Sequence, residues 1–265
     1  MRLSIEHRTT YRFSQPQERL VQMLRLTPEN THDQTVASWR IEIDRDARMR
    51  DGRDGFGNHT TMVYADGPVE EITVAVAGEV VTSHSGGVLH GSHETLPAAL
   101  YRRTTPATAA DAAIAAWAET LAKDDALATL HRINGGLHAR FRIDRAPPEP
   151  GRDAAAAFAL ETATPRDLAQ IFVAAARALG HPARYVTGYA LTAGDHRPSP
   201  HGWAEAYVDR IGWIGFDPTL GLSPEESHVR VAVGLDAVGA APVAGSRLGL
   251  GEEVLDVDVT VVREE

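Results

Sequence analysis

Thr164-Pro165-Arg166-Asp167-Leu168-Ala169-Gln170-Ile171-Phe172-Val173-Ala174-Ala175-Ala176-Arg177-Ala178-Leu179-Gly180 is the stretch on which the reading of this chain turns. Leu168, Ile171, Phe172, Ala175 and Leu179 recur at i, i+3, i+4, i+7 and i+11, so a helix over 165–179 carries one apolar stripe and belongs against a core. Its start is well specified. Thr164 suits the N-cap, Pro165 the first helical position and Asp167 the third, a variant of the capping box. Gly180 ends the helix, with Pro182 just beyond. Runs of β-branched and aromatic residues then predict strands at 184–191, 203–208 and 212–216, and a last one at 254–262. A buried helix followed by strands is an α+β pattern, with the helix packed on an antiparallel sheet.

Upstream, alanine-rich periodic segments predict helices at 109–123, 127–140 and 154–160, with the proline-rich 146–151 as a loop. From 3 to 81 the pattern changes to short runs of period two, such as Val36-Ala37-Ser38-Trp39-Arg40-Ile41-Glu42-Ile43. They are separated by turn signals at Asp51-Gly52, Gly55-Phe56-Gly57-Asn58 and Asp66-Gly67-Pro68. This predicts an N-terminal antiparallel β-sandwich domain over 1–85, a linker over 86–106 and a second domain over 107–265 that includes the last strand.

The 265 residues carry 26 basic and 36 acidic side chains, a net charge of −10, which argues against nucleic acid or anionic membranes as partners. With 43% hydrophobic and 23% charged residues, the composition is that of an ordinary globular chain. No apolar stretch is long enough for a signal peptide or a membrane span. There is no cysteine, so disulfides, thiolate metal sites and thiol nucleophiles are excluded and a cytoplasmic location is expected.

Three motifs follow the central helix start. The segment 174–189 runs from helix to strand, His201-Gly202-Trp203-Ala204-Glu205-Ala206-Tyr207 supplies a histidine, and Gly212-Trp213-Ile214-Gly215-Phe216-Asp217-Pro218-Thr219 supplies an aspartate. Together they resemble the bacterial transglutaminase-like group of papain-type cysteine proteases, across nearly the whole chain. The resemblance implies a papain-like core in which a cysteine at the helix start attacks a carbonyl, the histidine takes its proton and the aspartate orients the imidazole. His201 and Asp217 match the last two. At the helix start the family has cysteine, a variable residue and aspartate, and this chain has Pro165-Arg166-Asp167, so proline stands at the nucleophile position. Gln170 stands where the family has a further histidine, Leu220 where asparagine often follows the aspartate motif, and Gly202 where alanine is usual.

Asp167, Gln170, Trp203 and Trp213 are candidates for the cleft lining, although the two tryptophans are equally explained as core. His201 and Asp217 also have a purely structural reading, as a buried pair satisfying each other. Thr162 and Thr164 offer hydroxyls near the expected base, but Thr164 is better explained as the N-cap. His84, His90, His93 and Glu94 are chemically sufficient for zinc, yet their spacing matches no compact ligand pattern, so they are read as solvated loop. No metal and no cofactor is expected.

Three functions stay open. The first is a catalytically inactive homologue that binds a peptide or protein. The second is a residual amide hydrolase or acyltransferase using a hydroxyl or water with His201 and Asp217. The third is a structural subunit paired with an active relative.

Overall fold

The computed structural model describes residues 1–191 and 197–264. Two long strands, β1 (Arg2–Leu24) and β4 (His59–Thr82), pair antiparallel and form the spine of the first sheet. Strand β2 (Gln34–Ile43) extends it along the second half of β4, and β3 (Arg48–Arg53) along the first half. The short strands expected between turn signals have merged: Asp66-Gly67-Pro68 lies inside β4, near the register break between Arg12 and Gln17 of β1. Pro16 falls within that break. Proline donates no ladder hydrogen bond, and a bulge bends its strand, so the sheet turns over at this line. Leu24 and Val63 on one side of it pack with Val74 and Val76 on the other. The two-layer packing is thus made by one continuous sheet.

The chain's end returns to this first sheet. Strand β11 (Val243–Leu248) pairs with the second half of β1, and β12 (Glu253–Arg263) with its first half. The final strand, placed by sequence in the second domain, is therefore an edge of the N-terminal sheet. Local pattern predicts that a strand exists and says nothing about its partner, which explains the difference.

The second unit is built on β7 (Ala183–Ala190), β8 (His201–Val208), β9 (Gly212–Phe216) and β10 (His228–Gly234), an antiparallel sheet in the order β10-β7-β8-β9. Helices α1 (Ala112–Leu121), α2 (Ala126–Arg140) and α3 (Ala154–Phe158) surround α4 (Pro165–Ala178), which lies on the sheet. Helix α1 starts later than its alanine run because Asp111 caps it, accepting from the Ile114 N–H at 2.8 Å. Strands β5 (Arg142–Ile143) and β6 (Thr162–Ala163) form a short parallel pair just before α4.

Every residue of α4 from Asp167 to Arg177 is buried, so the helix is covered on all sides rather than along one stripe. Leu168, Ile171 and Phe172 are fully buried, each stabilising by about 1.5–3 kcal/mol. Arg177 is accommodated because its guanidinium donates to the carbonyls of Tyr101, Ala183 and Leu235 and to Thr108 Oγ1. No helix among the described residues is long and apolar enough to cross a membrane.

The segment expected as a linker is pinned to the core. Leu89 N–H donates to the Trp213 carbonyl at 2.9 Å, Gly215 N–H donates to the Gly87 carbonyl at 2.8 Å, and Tyr101 is buried. Two side-chain amides join the sheets. Gln34 brackets Arg230 of β10, donating to its carbonyl at 2.9 Å and accepting its N–H at 2.7 Å, and Asn58 does the same to Val233 at 2.8 Å each way. Each amide imitates one residue of a neighbouring strand. Asn58→Ala is expected to cost about 2–4 kcal/mol, because it leaves a buried N–H and a buried C=O of Val233 unpaired. Urea denaturation checks this, and an unchanged midpoint would show that the junction does not contribute.

Candidate functional site

The helix start forms as its sequence specifies. Thr164 Oγ1 accepts the Asp167 N–H at 3.2 Å, Asp167 Oδ2 accepts the Thr164 N–H at 3.2 Å, and Pro165 is the first helical residue. Asp167 is fully buried and also receives Arg152 at 3.1 Å. Its carboxylate holds the helix start together. Pro165 faces a cavity of about 380 Å³, and His201 lines that cavity too, as do Thr219 and Leu220.

His201 opens β8, Asp217 directly follows β9, and His228 opens β10. The antiparallel order brings these three positions to one end of the sheet. His201 Nε2 donates to Asp217 Oδ2 at 2.7 Å, and His228 Nε2 donates to the same oxygen at 3.0 Å. Asp217 Oδ1 accepts the Thr219 backbone N–H at 2.9 Å and its hydroxyl at 2.6 Å. Burial alone would raise the Asp217 pKa, but the charge of the His201 ring and the bonds from both histidines hold the carboxyl far below the usual carboxylate range. With Nε2 committed to Asp217, His201 Nδ1 has no hydrogen-bond partner among the described residues. In the neutral ring that nitrogen is an acceptor, in the imidazolium a donor, and the ring lines the cavity.

His228 was not singled out from sequence. A histidine just ahead of an apolar run carries no local signal, and only the pairing of β10 with β7 brings it to Asp217. Its Nδ1 accepts the Glu225 N–H at 3.3 Å and faces the Ser227 hydroxyl at 3.1 Å, which places the ring proton on Nε2. The ligand atoms of His201, Asp217 and His228 lie within 4.8 Å of one another, close enough to raise the question of a metal ion. A ligating Nε2 would need its proton moved to Nδ1, where the Glu225 N–H already points. The trio therefore fits a hydrogen-bonded arrangement and does not fit a divalent cation.

Of the four candidates for the cleft lining, none lines the cavity. Asp167 and Gln170 lie buried on α4, the latter donating to the Arg152 carbonyl at 3.2 Å. Helical phase places them under the helix start, away from the Pro165 face. Trp203 packs against both imidazoles, its ring centroid 6.1 Å from that of His201 and 5.5 Å from that of His228. It props the pair from behind. Trp213 lies under the Arg184 guanidinium, 3.8 Å from ring centroid to Cζ. Thr164 is buried as the N-cap, and Thr162 sits in β6. Gly202 has a steric reason: a Cβ there would meet Tyr185 Oη at 2.1 Å, so this tyrosine takes the space an alanine methyl would need. The linker histidines do not converge. His84 pairs with Glu225, and His90 stacks on His32.

The family model of the bacterial transglutaminase-like N-terminal region matches residues 3–81. That of the transglutaminase-like superfamily matches residues 114–218, which include Pro165, His201 and Asp217. An uncharacterized protein of Mycobacterium leprae is 26% identical over 284 residues, spanning 99% of both chains. Another, from Mycobacterium bovis, is 26% identical over 292 residues, spanning 98% of this chain and 92% of the relative. A solved structure of a candidate cysteine protease from Cytophaga hutchinsonii covers all of this chain and 92% of its own, with a TM-score of 0.76 at 18% identity, which establishes likeness of fold. With both matched regions in their expected order and the fold shared from end to end, the chain belongs to the transglutaminase-like superfamily and carries that superfamily's core without any cysteine.

Proposed function

We propose that this chain is a pseudoenzyme that binds a peptide or a segment of a protein in the cavity between Pro165 and His201. The observation that carries this reading is the cavity of about 380 Å³ beside a helix start with no nucleophile. Its walls are mostly apolar, with Ile143, Leu191, Pro200 and Val259 among them and a few polar groups between, the usual composition of a ligand pocket. His201 Nδ1 supplies an acceptor for a ligand N–H. A cytoplasmic location accompanies this reading, since a chain without cysteine needs no oxidising compartment to fold.

The purified chain should turn over none of a panel of peptide amides and esters, while peptides from the same panel shift the ring signals of His201 saturably in NMR titrations. A panel that leaves those signals unmoved removes the binding reading. One observation favours a second reading: the 2.7 Å bond from His201 to Asp217 is the arrangement of a general base, able to act on water. Turnover that disappears in His201→Ala would establish that reading in place of the first.

A further inference from the structure

Strand β5 is paired along one side only. Arg142 N–H donates to the Glu161 carbonyl at 3.1 Å and Asp144 N–H donates to the Ala163 carbonyl at 2.9 Å, which fixes the parallel ladder between β5 and β6. Along such a strand, residues bonded to the neighbour alternate with residues whose main-chain groups face the other way. Ile143 lies between the two bonded residues, so its N–H and its C=O both point away from β6, and neither has a partner among the described residues. Ile143 is 37% exposed and is also a wall of the cavity that Pro165 and His201 line. The edge is held firmly. Asp144 Oδ1 accepts the Ala146 N–H at 2.9 Å, which closes the turn after β5, and β6 runs directly into the Thr164 cap of α4. With two residues in β5 and Pro147 and Pro148 close behind, the edge is too short to template the pairing of whole sheets. It offers one donor and one acceptor, side by side on a single residue.

We propose that the cavity takes its ligand as an extended polypeptide segment, whose main chain exchanges one N–H···O bond in each direction with Ile143 while its side chains lie on Leu191, Pro200 and Val259. The inference rests on the binding function proposed above and names its ligand class. Main-chain pairing at a strand edge supplies affinity with little regard to side-chain identity. A helical segment has its N–H and C=O groups bonded internally and is refused, whereas a tail or loop without fixed structure is accepted.

The test follows fluorescence polarisation of a labelled pool of acetylated, C-terminally amidated mixed-sequence hexapeptides against the full chain. A second pool of the same composition is N-methylated at every backbone amide, which removes the donors. It should bind at least about 5-fold more weakly, the loss expected for one net hydrogen bond. On the protein side, Ile143→Pro removes the outward N–H and leaves the ladder bonds of Arg142 and Asp144 in place, a position at which an edge strand tolerates proline. This variant, shown by circular dichroism to be folded, should bind the first pool about 5-fold more weakly. Ile143→Val keeps the N–H and trims the side chain, and it should lose less. In the natural chain, hydrogen exchange at the Ile143 amide, read by NMR, should slow about 10-fold when the first pool saturates the site. That measurement decides alone if Ile143→Pro does not fold. Equal affinity for the two pools, or an Ile143 amide that exchanges at the same rate free and bound, overturns this inference and leaves the binding reading standing. An equal loss in Ile143→Val and Ile143→Pro also overturns it, because the side chain then carries the contact. A first pool that does not bind the natural chain at all overturns both.

Discussion

Replacing Pro165 with cysteine is expected to give this chain a thiol that is alkylated at pH 6 about 10-fold faster than the thiol of a cysteine peptide. A free thiol ionises near pKa ~8.5, so less than about 1% is thiolate at pH 6. At the first position of α4 the new side chain meets the positive end of the helix dipole, and it shares a cavity with His201. If these bring the pKa to about 6, thiolate rises roughly 150-fold, and the lower nucleophilicity of the weaker base returns about a factor of 10. His201 is set up for its part. Its Nε2 is engaged by Asp217 at 2.7 Å, which leaves Nδ1 to take the thiol proton. The fold should tolerate the change. Proline at this position stabilises mainly by restricting the unfolded chain, so its loss should cost about 0.4–1 kcal/mol while the Thr164–Asp167 box stays in place. Iodoacetamide labelling against pH, in P165C and in P165C with His201→Ala, measures the effect. A thiol that titrates like free cysteine and ignores His201 would show that Pro165 does not occupy the nucleophile position.

Removing Glu205 is expected to be the most damaging single change in the core. Its side chain is 3% exposed and accepts from Arg184 Nε at 2.7 Å and from Arg230 Nε at 2.7 Å. Arg184, 1% exposed, has Glu94 as its other carboxylate, at 2.7 Å. Glu205→Ala would leave buried guanidinium charge short of its partner, a loss of about 3–5 kcal/mol. The pH dependence carries the same information. Burial acts to raise the Glu205 pKa, but the charges of Arg230 and Arg184, with their hydrogen bonds, outweigh it and bring the group to about 2. The folded state thus binds this proton less readily than the unfolded chain, whose ordinary value is 4.5. Stability from this group is complete above pH 4.5 and is lost as pH falls towards 2, by about 3 kcal/mol in all. Denaturation midpoints measured across that window should fall steeply for the natural chain and more gently for Glu205→Gln. Parallel curves would place the acid sensitivity elsewhere.

Much of this molecule was legible locally. The α4 start, with Thr164, Pro165 and Asp167 each in its specified role, and the Gly180 stop at φ 84° follow from backbone chemistry within a few residues, so sequence predicts them well. The absence of any thiol was plainer still, because it is a property of composition alone. The alternation that marks strands was equally readable, and so was the antiparallel arrangement of β8 and β9 that joins His201 to Asp217. What sequence alone determined about this protein is therefore its family, its central helix and the absence of thiol chemistry. Only the tertiary structure decided that β12 belongs to the first sheet, that His228 shares Asp217, and that Pro165 and His201 line one cavity whose walls do not include Trp203 and Trp213. The division has one physical cause. Caps, turns and periodicity are set by neighbours along the chain, whereas strand partners and cavity walls join residues far apart in sequence, where competing pairings of similar pattern are separated only by the packing of the whole.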